Sequence, residues 1–480
     1  MRKITYASLL VAFICVFTAC KDDDVISPIT PAETTSDVTT TSSYSSINNW
    51  AYGVMQDAYY WSAELTAISN LDLSLDPFDF FEKLIYNRET IDRFSGLTDD
   101  YEALQNDFDG ISEIFGIRYT TAYLDNSSTN LGLFLSQVTV GSAAEAAGMK
   151  RGDVIISIDN QSITASNFAS LFSSSDTHTF SFGKLENDTW LTESSLTVTR
   201  MVTEENPVAY SGIIELPVSG KKLGYLLYTQ FIPGSSDEYD NQLRSIFGEF
   251  KSNQVSELVL DFRFNGGGYI SSAEVLSSLI GINTSSNDIF YKEKWNESYE
   301  SYLRSRYGSS YFDHTFLDEA NNIGNQLSRV FVLTSNSTAS ASELVINGLT
   351  PYMEVITIGE NTYGKNLFGT LVGDDENNSN YGIYVMLGET TNALDQSGYG
   401  TVDGITPDYY VEDNLIPYLP IGDYNETLFS QVLEVLGEKT LASARLSNKK
   451  TIWRKNKFYA KEEQVQPMAK TIITLPKAGE

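Results

Sequence analysis

Apolar residues first fall into a regular order near Ser46. Ile47, Trp50, Val54, Ala58 and Trp61 repeat close to a helical period, and Asp76-Pro77 is an N-cap with Pro at N1. Phe78, Phe81, Leu84 and Ile85 then give that next helix a buried face, so 46–105 reads as a small N-terminal helical module. Residues 106–203 read as a separate unit. In it a short small-residue helix, a Gly-Asp turn at Gly152-Asp153, an apolar strand over Val154–Ile158 and a tight turn at Asp159-Asn160 follow one another. From 204 to 442 strands and helices alternate. A strand over Lys222–Phe231 precedes an amphipathic helix carrying Tyr239, Leu243, Ile246, Phe247 and Phe250. Glu257–Asp261 is apolar enough to be buried on both faces, and a helix over Ser272–Ile280 follows. A strand over Val330–Leu333, a helix over Ala341–Leu349, a strand over Val355–Ile358 and a closing helix over Leu428–Leu436 complete the series. Strand–helix alternation implies crossover units and a largely parallel sheet, a multidomain α/β chain.

The two ends depart from these patterns. Arg2 and Lys3 precede a short apolar run, Leu9 to Phe17, too short to span a bilayer as a normal helix. It ends at Phe17-Thr18-Ala19-Cys20, which resembles a bacterial lipobox, so 1–19 reads as a lipoprotein signal peptide with lipid on the Cys20 sulfur. Cys15 falls within the leader, and the one remaining cysteine is acylated, so no intrachain disulfide is expected. Lys21-Asp22-Asp23-Asp24 is similar to the export signal of surface lipoproteins in Bacteroidetes. The Ser/Thr-rich stretch 20–45 reads as a tether. The implied location is the outer membrane of a Gram-negative cell, with exposure on its surface left open. At the other end, 443–480 is a basic tail in which Lys449, Lys450, Arg454, Lys455 and Lys457 surround Trp453 and Phe458; docking on the acidic body is the favoured reading.

Composition narrows the function classes. A chain of 480 residues with 41% hydrophobic and 12% aromatic residues has a core to bury. A net charge of −31 argues against nucleic-acid partners and against general adhesion to anionic lipid, leaving the N-terminal lipid as the membrane contact. Two histidines and one mature cysteine offer no N/S ligand cluster, so neither a metal nor a cofactor is expected.

The chemistry concentrates in 333–365. Ser340 lies where a strand feeds a helix N-terminus, whose unpaired N–H groups and dipole favour an oxyanion. The histidines, His178 and His314, lie in stretches of the wrong character for a triad. A lysine whose pKa is lowered by burial is the remaining conventional base, and Lys365 is flanked by Tyr363, Leu367 and Phe368.

Thr338-Ala339-Ser340-Ala341-Ser342-Glu343, followed 25 residues after the serine by Lys365 in Thr362-Tyr363-Gly364-Lys365, resembles the Ser/Lys core of the S41 family of C-terminal processing (tail-specific) peptidases. The run Gly141–Asp153 resembles a PDZ domain, Asp261-Phe262-Arg263-Phe264-Asn265-Gly266-Gly267-Gly268 resembles the family's Gly-rich loop, and Gly404–Asp408 its G-x-x-P-D. Asp92-Arg93-Phe94-Ser95 is similar to its lead-in to the PDZ domain. The resemblance implies a crotonase/ClpP-like catalytic core over 204–442 with an inserted PDZ-like α+β domain. It implies Ser340 as nucleophile and Lys365 as base. N–H groups of Gly266 or Gly267 with Ala341 are the oxyanion-hole candidates, and Asp261 and Arg263 brace the loop. Phe115-Gly116-Ile117 stands where a PDZ carboxylate-binding loop is expected. The family commonly has Gln four residues after the lysine; here that residue is Gly369, so Glu343, Asn366 or Thr362 is expected to orient Lys365 instead.

The reading is a lipid-anchored serine endopeptidase acting on exported or partly unfolded proteins. The alternative is a weak or inactive peptide-binding lipoprotein using the PDZ domain and a peptidase-like groove. Substrates are proteins or peptides; the oligomeric state is open.

Overall fold

The structure is a computed structural model and describes residues 41–124, 129–187, 189–375, 377–439, 453–454 and 470–472. The expected signal peptide, Cys20, Lys21–Asp24 and most of the basic tail lie outside the described residues.

Helix α1 (Thr41–Ala58) and helix α2 (Pro77–Glu82) open the chain, the latter capped by Asp76, whose carboxylate accepts from the Phe78 N–H. Helix α3 (Tyr101–Phe108) follows, with Asp100 accepting from the Ala103 N–H. Trp50, Met55, Tyr59, Phe80, Phe81, Phe94 and Phe108 pack into the largest hydrophobic cluster together with the catalytic-domain sheet. The N-terminal module is therefore part of the main core.

The middle unit is closed at its neck by Ile111–Ile114 pairing antiparallel with Met201–Glu204. Its sheet runs in the order Ile117–Tyr123, Leu131–Val138, Val154–Ile158, Thr177–Glu186, Thr189–Thr199, over its own core of Leu133, Leu135, Ile155, Ile158 and Phe180. Ala122, Leu124, Phe134 and Val154 form a small apolar contact with Ile416 and Tyr418 of the catalytic domain. Arg151 crosses the same boundary. It donates to Ser136 O (2.6 Å), Leu419 O (2.8 Å) and Glu426 Oε1 (3.1 Å), and lies 4.6 Å from the Tyr418 ring centre. Arg151→Ala is expected to cost about 1–2 kcal/mol and to speed amide exchange in 415–420 ahead of the rest of the catalytic domain. Uniform protection across both domains would count against this anchor.

The catalytic domain holds two sheets. The first runs Val208–Glu215, β1 (Lys222–Tyr228), β2 (Glu257–Asp261), Arg329–Thr334, Glu354–Gly359 and Tyr409–Tyr410, parallel after its first, antiparallel strand. Between β1 and β2 lies α4 (Glu238–Ser252); β2 leads to β3 (Gly267–Tyr269) and α5 (Ile270–Ile280). Next come β4 (Arg329–Thr334), α6 (Ala341–Leu349) and β5 (Glu354–Gly359). Side chains alternate along these strands, and both faces are buried. Leu258, Leu260, Val330 and Val332 enter the main core; Val259, Phe331 and Leu333 meet α7 (Thr427–Val435) on the other face.

The second sheet departs from the parallel sheet expected. It is a mixed, seven-stranded layer in which β6 (Leu367–Gly373) and β7 (Gly382–Asn392) form an antiparallel pair, extended by Ile289–Trp295 and Asp313–Thr315. Gly96–Thr98 of the N-terminal module pairs with β7. Strand β8 (Lys470–Ile472) runs parallel between β3 and β6. Of the basic tail, Trp453–Arg454 pairs with Leu415–Ile416.

Candidate active site

Ser340 stands at the N-cap of α6 with φ +63° and ψ −112°, a conformation a residue with a Cβ rarely adopts. Such strain of about 1–3 kcal/mol persists only where the surroundings enforce it, and it gathers at reactive sites. Here the enforcing group is Glu343. It forms a capping box with Ser340, the Ser340 N–H donating to Glu343 Oε2 at 2.7 Å. The same oxygen accepts from the Lys365 N–H at 2.8 Å. Glu343 Oε1 accepts from the Gly364 N–H (2.8 Å) and the Thr362 hydroxyl. One buried carboxylate thus holds the backbones of the serine and the lysine side by side. Burial pushes the Glu343 carboxyl up to about 7, against the pull of its four donors.

The irregular segment 362–365, between β5 and β6, bends tightly past the serine loop. The Tyr363 N–H donates to Thr338 O (2.9 Å), and Gly364 has φ +84° with its missing Cβ position 1.7 Å from Thr401 O, so only glycine fits. Lys365 is 1% exposed. Burial drives its amine well below the ordinary lysine value; Arg93 acts in the same direction, while Asp92 and Glu343 oppose it. Its Nζ donates to the Tyr384 hydroxyl at 2.8 Å and lies 5.0 Å from the Phe94 ring centre. The desolvating wall is therefore built from distant segments. The expected flanking residues Tyr363, Leu367 and Phe368 contribute to the core around it.

Two of these wall residues come from the N-terminal module and carry no sequence signal of catalysis. Arg93 donates to Tyr363 O (3.1 Å) and Gly364 O (2.7 Å) and lies beside the Phe94 and Tyr363 rings. Asp92 fixes this segment by accepting from the Phe94 and Ser95 N–H groups and the Tyr59 hydroxyl. Tyr384 of β7 is likewise unmarked, since it lies in an ordinary apolar strand.

The Gly-rich loop reaches the serine from the other side. Asn265 O accepts from the Ala339 N–H (3.1 Å) and the Ser342 hydroxyl (3.2 Å). Gly267 does not serve as an oxyanion donor, because its N–H is taken by Asn265 Oδ1 at 2.9 Å. The N–H groups of Gly266 and Ala341 make no hydrogen bond to another described residue and remain the pair for an oxyanion hole. Arg263 braces the loop through Asp261 (2.8 Å), Asp413 (2.8 Å) and Glu426 (2.6 Å), all largely buried.

Asn366 does not orient the lysine amine: its side chain donates to Ser397 Oγ (2.8 Å) and Glu389 Oε2 (3.2 Å). Thr362 acts only through Glu343. Gly369, where the resemblance expects Gln, lies under Tyr384; a Cβ there would be 3.0 Å from Tyr384 Cε2 and 2.5 Å from Val385 O. The histidines are engaged elsewhere, His178 with Asp159 at 2.7 Å and His314 with Glu293 at 3.2 Å. Among the described residues no His/Cys/Asp/Glu cluster could hold a metal ion.

These two features, a strained serine and a buried, depressed lysine sharing one carboxylate, coincide with the match to known proteins. Residues 222–411 match peptidase family S41, residues 46–96 the peptidase S41 N-terminal domain, and residues 134–180 the PDZ domain. S41 peptidases are Ser/Lys-dyad hydrolases. The crystal structure of an S41 protease from Bacteroides fragilis NCTC 9343 superposes with a TM-score of 0.69 at 27% identity, over 82% of this chain and 97% of that one. Carboxyl-terminal-processing peptidase 2, chloroplastic, of Arabidopsis thaliana is 29% identical over 287 residues, 58% of this chain and 49% of that protein. A carboxyl-terminal-processing protease of Picosynechococcus is 26% identical over 299 residues, 62% of this chain and 64% of that protein. The chain thus spans roughly half to two thirds of the length of these processing enzymes.

In the PDZ domain the segment Phe115-Gly116-Ile117 leads into the strand Ile117–Tyr123. The Phe115 ring is in the domain core, against Phe172, His178 and Phe180. Phe115 O and Gly116 O accept from the Ala144 and Thr139 N–H groups. Ile117 pairs with Val138. Tyr119, on the strand Ile117–Tyr123, stacks on Phe172 of the helix Phe168–Ser173 with ring centres 5.7 Å apart. Aromatic rings therefore fill the space between that strand and helix.

Proposed function

We propose that the protein is a lipid-anchored serine endopeptidase of the C-terminal processing type, cutting exported or partly unfolded proteins. The observation that carries this is the placement of Ser340 and Lys365 on one Glu343 oxygen, with the amine buried and held below its ordinary pKa. Neutral Lys365 takes the Ser340 proton as Oγ attacks the peptide carbonyl. The resulting ammonium returns that proton to the leaving amine as the C–N bond breaks, and water then clears the acyl-enzyme. The N–H groups of Gly266 and Ala341 face the developing oxyanion. The PDZ domain engages part of the polypeptide substrate.

The anchor rests on Cys20 after its lipobox-like run; Lys21–Asp24 supports an outer-membrane location, with exposure on the surface left open. Palmitate labelling in cells that disappears with Cys20→Ala supports the anchor; labelling that persists overturns it.

The peptidase test uses the form that begins after Cys20, incubated with casein and with a serine-directed fluorophosphonate. Digestion together with labelling of Ser340 is expected. A protein that binds peptides of varied C-termini yet neither cuts them nor takes the label is the peptide-binding lipoprotein instead.

A further inference from the structure

We propose that Tyr384 is the positioning residue of the lysine base, its phenol oxygen holding the Lys365 amine and accepting from the ammonium formed when Ser340 gives up its proton. This rests on the peptidase reading above. The Nζ–oxygen distance is 2.8 Å, and Nζ is 4.8 Å from the Tyr384 ring centre. Together these distances put the amine off the phenol end of the ring, where an oxygen lone pair meets an N–H, and not over the ring face.

The phenol is itself held in place. Tyr384 is 1% exposed, packs edge-on against Phe108 of α3 at 4.9 Å, and sits on β7 opposite Gly96 on one side and Leu371 on the other. Gly369 of β6 leaves the room its ring needs. A fixed acceptor of this kind costs no reorganisation at the moment the amine becomes charged.

The other charged groups facing the amine are committed. Glu343 has its four donors, Asp92 accepts from two N–H groups and the Tyr59 hydroxyl, and Arg93 bears the wrong sign to receive a proton donor. Asp92 and Glu343 act on Lys365 through space; the Tyr384 oxygen touches it.

An acceptor on Nζ favours the ammonium, so removing it lowers the lysine pKa still further and slows formation of the charged intermediate. In Tyr384→Phe, kcat is expected to fall about 10- to 100-fold with KM changed less than about twofold. The acid limb of kcat/KM, which reports Lys365 in the free enzyme, is expected to move about one pH unit lower. Replacing Tyr384 by 3-fluorotyrosine keeps the packing and weakens the acceptor, so the limb moves the same way by less. A purely structural role would lower activity without moving the limb. Wild-type kcat and an unmoved limb in both variants overturn the inference. Wild-type protein that itself cuts nothing overturns the peptidase reading instead.

Discussion

Lys365→Met is expected to abolish peptide cleavage, lowering turnover at least about 10³-fold, while the protein still folds. Ser340→Ala has the same effect, and the double variant is no worse than either single one, because the two groups act as a unit. Methionine fits the buried site in length and apolar character, so the loss is one of chemistry. A second signature separates this base from a buried structural lysine. An unfolded lysine titrates near about 10.4, whereas burial holds the folded amine well below that value. Between the folded and unfolded pKa the unfolded chain binds the extra proton, so wild-type stability rises with pH through that window; below the folded pKa the penalty is present in full. Methionine carries no such penalty. Relative to the Met variant, wild type therefore gains stability as pH is raised from neutral toward about 10. Urea unfolding at several pH values reads this directly. A constant gap would mean the amine is charged in the folded protein, and residual cleavage above a tenth of wild type would remove Lys365 from the mechanism.

Glu343→Ala is expected to cost about 4 kcal/mol and to lower activity about 10²-fold or more. It strands the N–H groups of Ser340, Gly364 and Lys365 and the Thr362 hydroxyl, all buried. The positive φ of Ser340 also loses what enforces it. Glu343→Gln is expected to be nearly as harmful, since each carboxylate oxygen accepts from two donors and an amide NH₂ would face a pair of them. The pH dependence has a definite sign. The Glu343 carboxyl is raised to about 7, above its unfolded value, so its titration contributes stability fully at pH below about 4.3 and loses it as pH rises through about 7. The deficit of Glu343→Ala relative to wild type is thus larger at pH 5 than at pH 8. A Gln variant with wild-type stability and rate would show that a single acceptor suffices and that the shared carboxylate is not what joins serine to lysine.

The parts of this site that were legible in the sequence are those whose signal is local. A strand feeding a helix at Ser340, a glycine before Lys365 and the Gly-rich turn after β2 each follow from short-range spacing, and helix α6 begins and ends where the pattern puts it. Glu343 was legible as one of three candidates to orient Lys365; that its hold is on the Lys365 backbone N–H depends on a turn packed 22 residues later. What was hidden depends on long-range pairing. The second sheet brings β7 beside β6 and Gly96–Thr98 beside β7, and neither partnership leaves a periodic trace. Tyr384, Arg93 and Phe94 reach the lysine only through those pairings. The assignment of Gly267 to the oxyanion hole failed because a glycine run does not say which N–H its neighbouring Asn265 will take.

The contact of Arg93 with the Tyr363 and Gly364 carbonyls joins residues some 270 positions apart. On a ribosome adding about 5–20 residues per second, Arg93 waits roughly 15 to 50 seconds for its partners to be made. For most of that interval neither Ser340 nor Lys365 has been made, and until its end there is no dry pocket in which a lysine sheds its proton. The surroundings of the lysine are therefore complete only when these two distant segments of the chain have met.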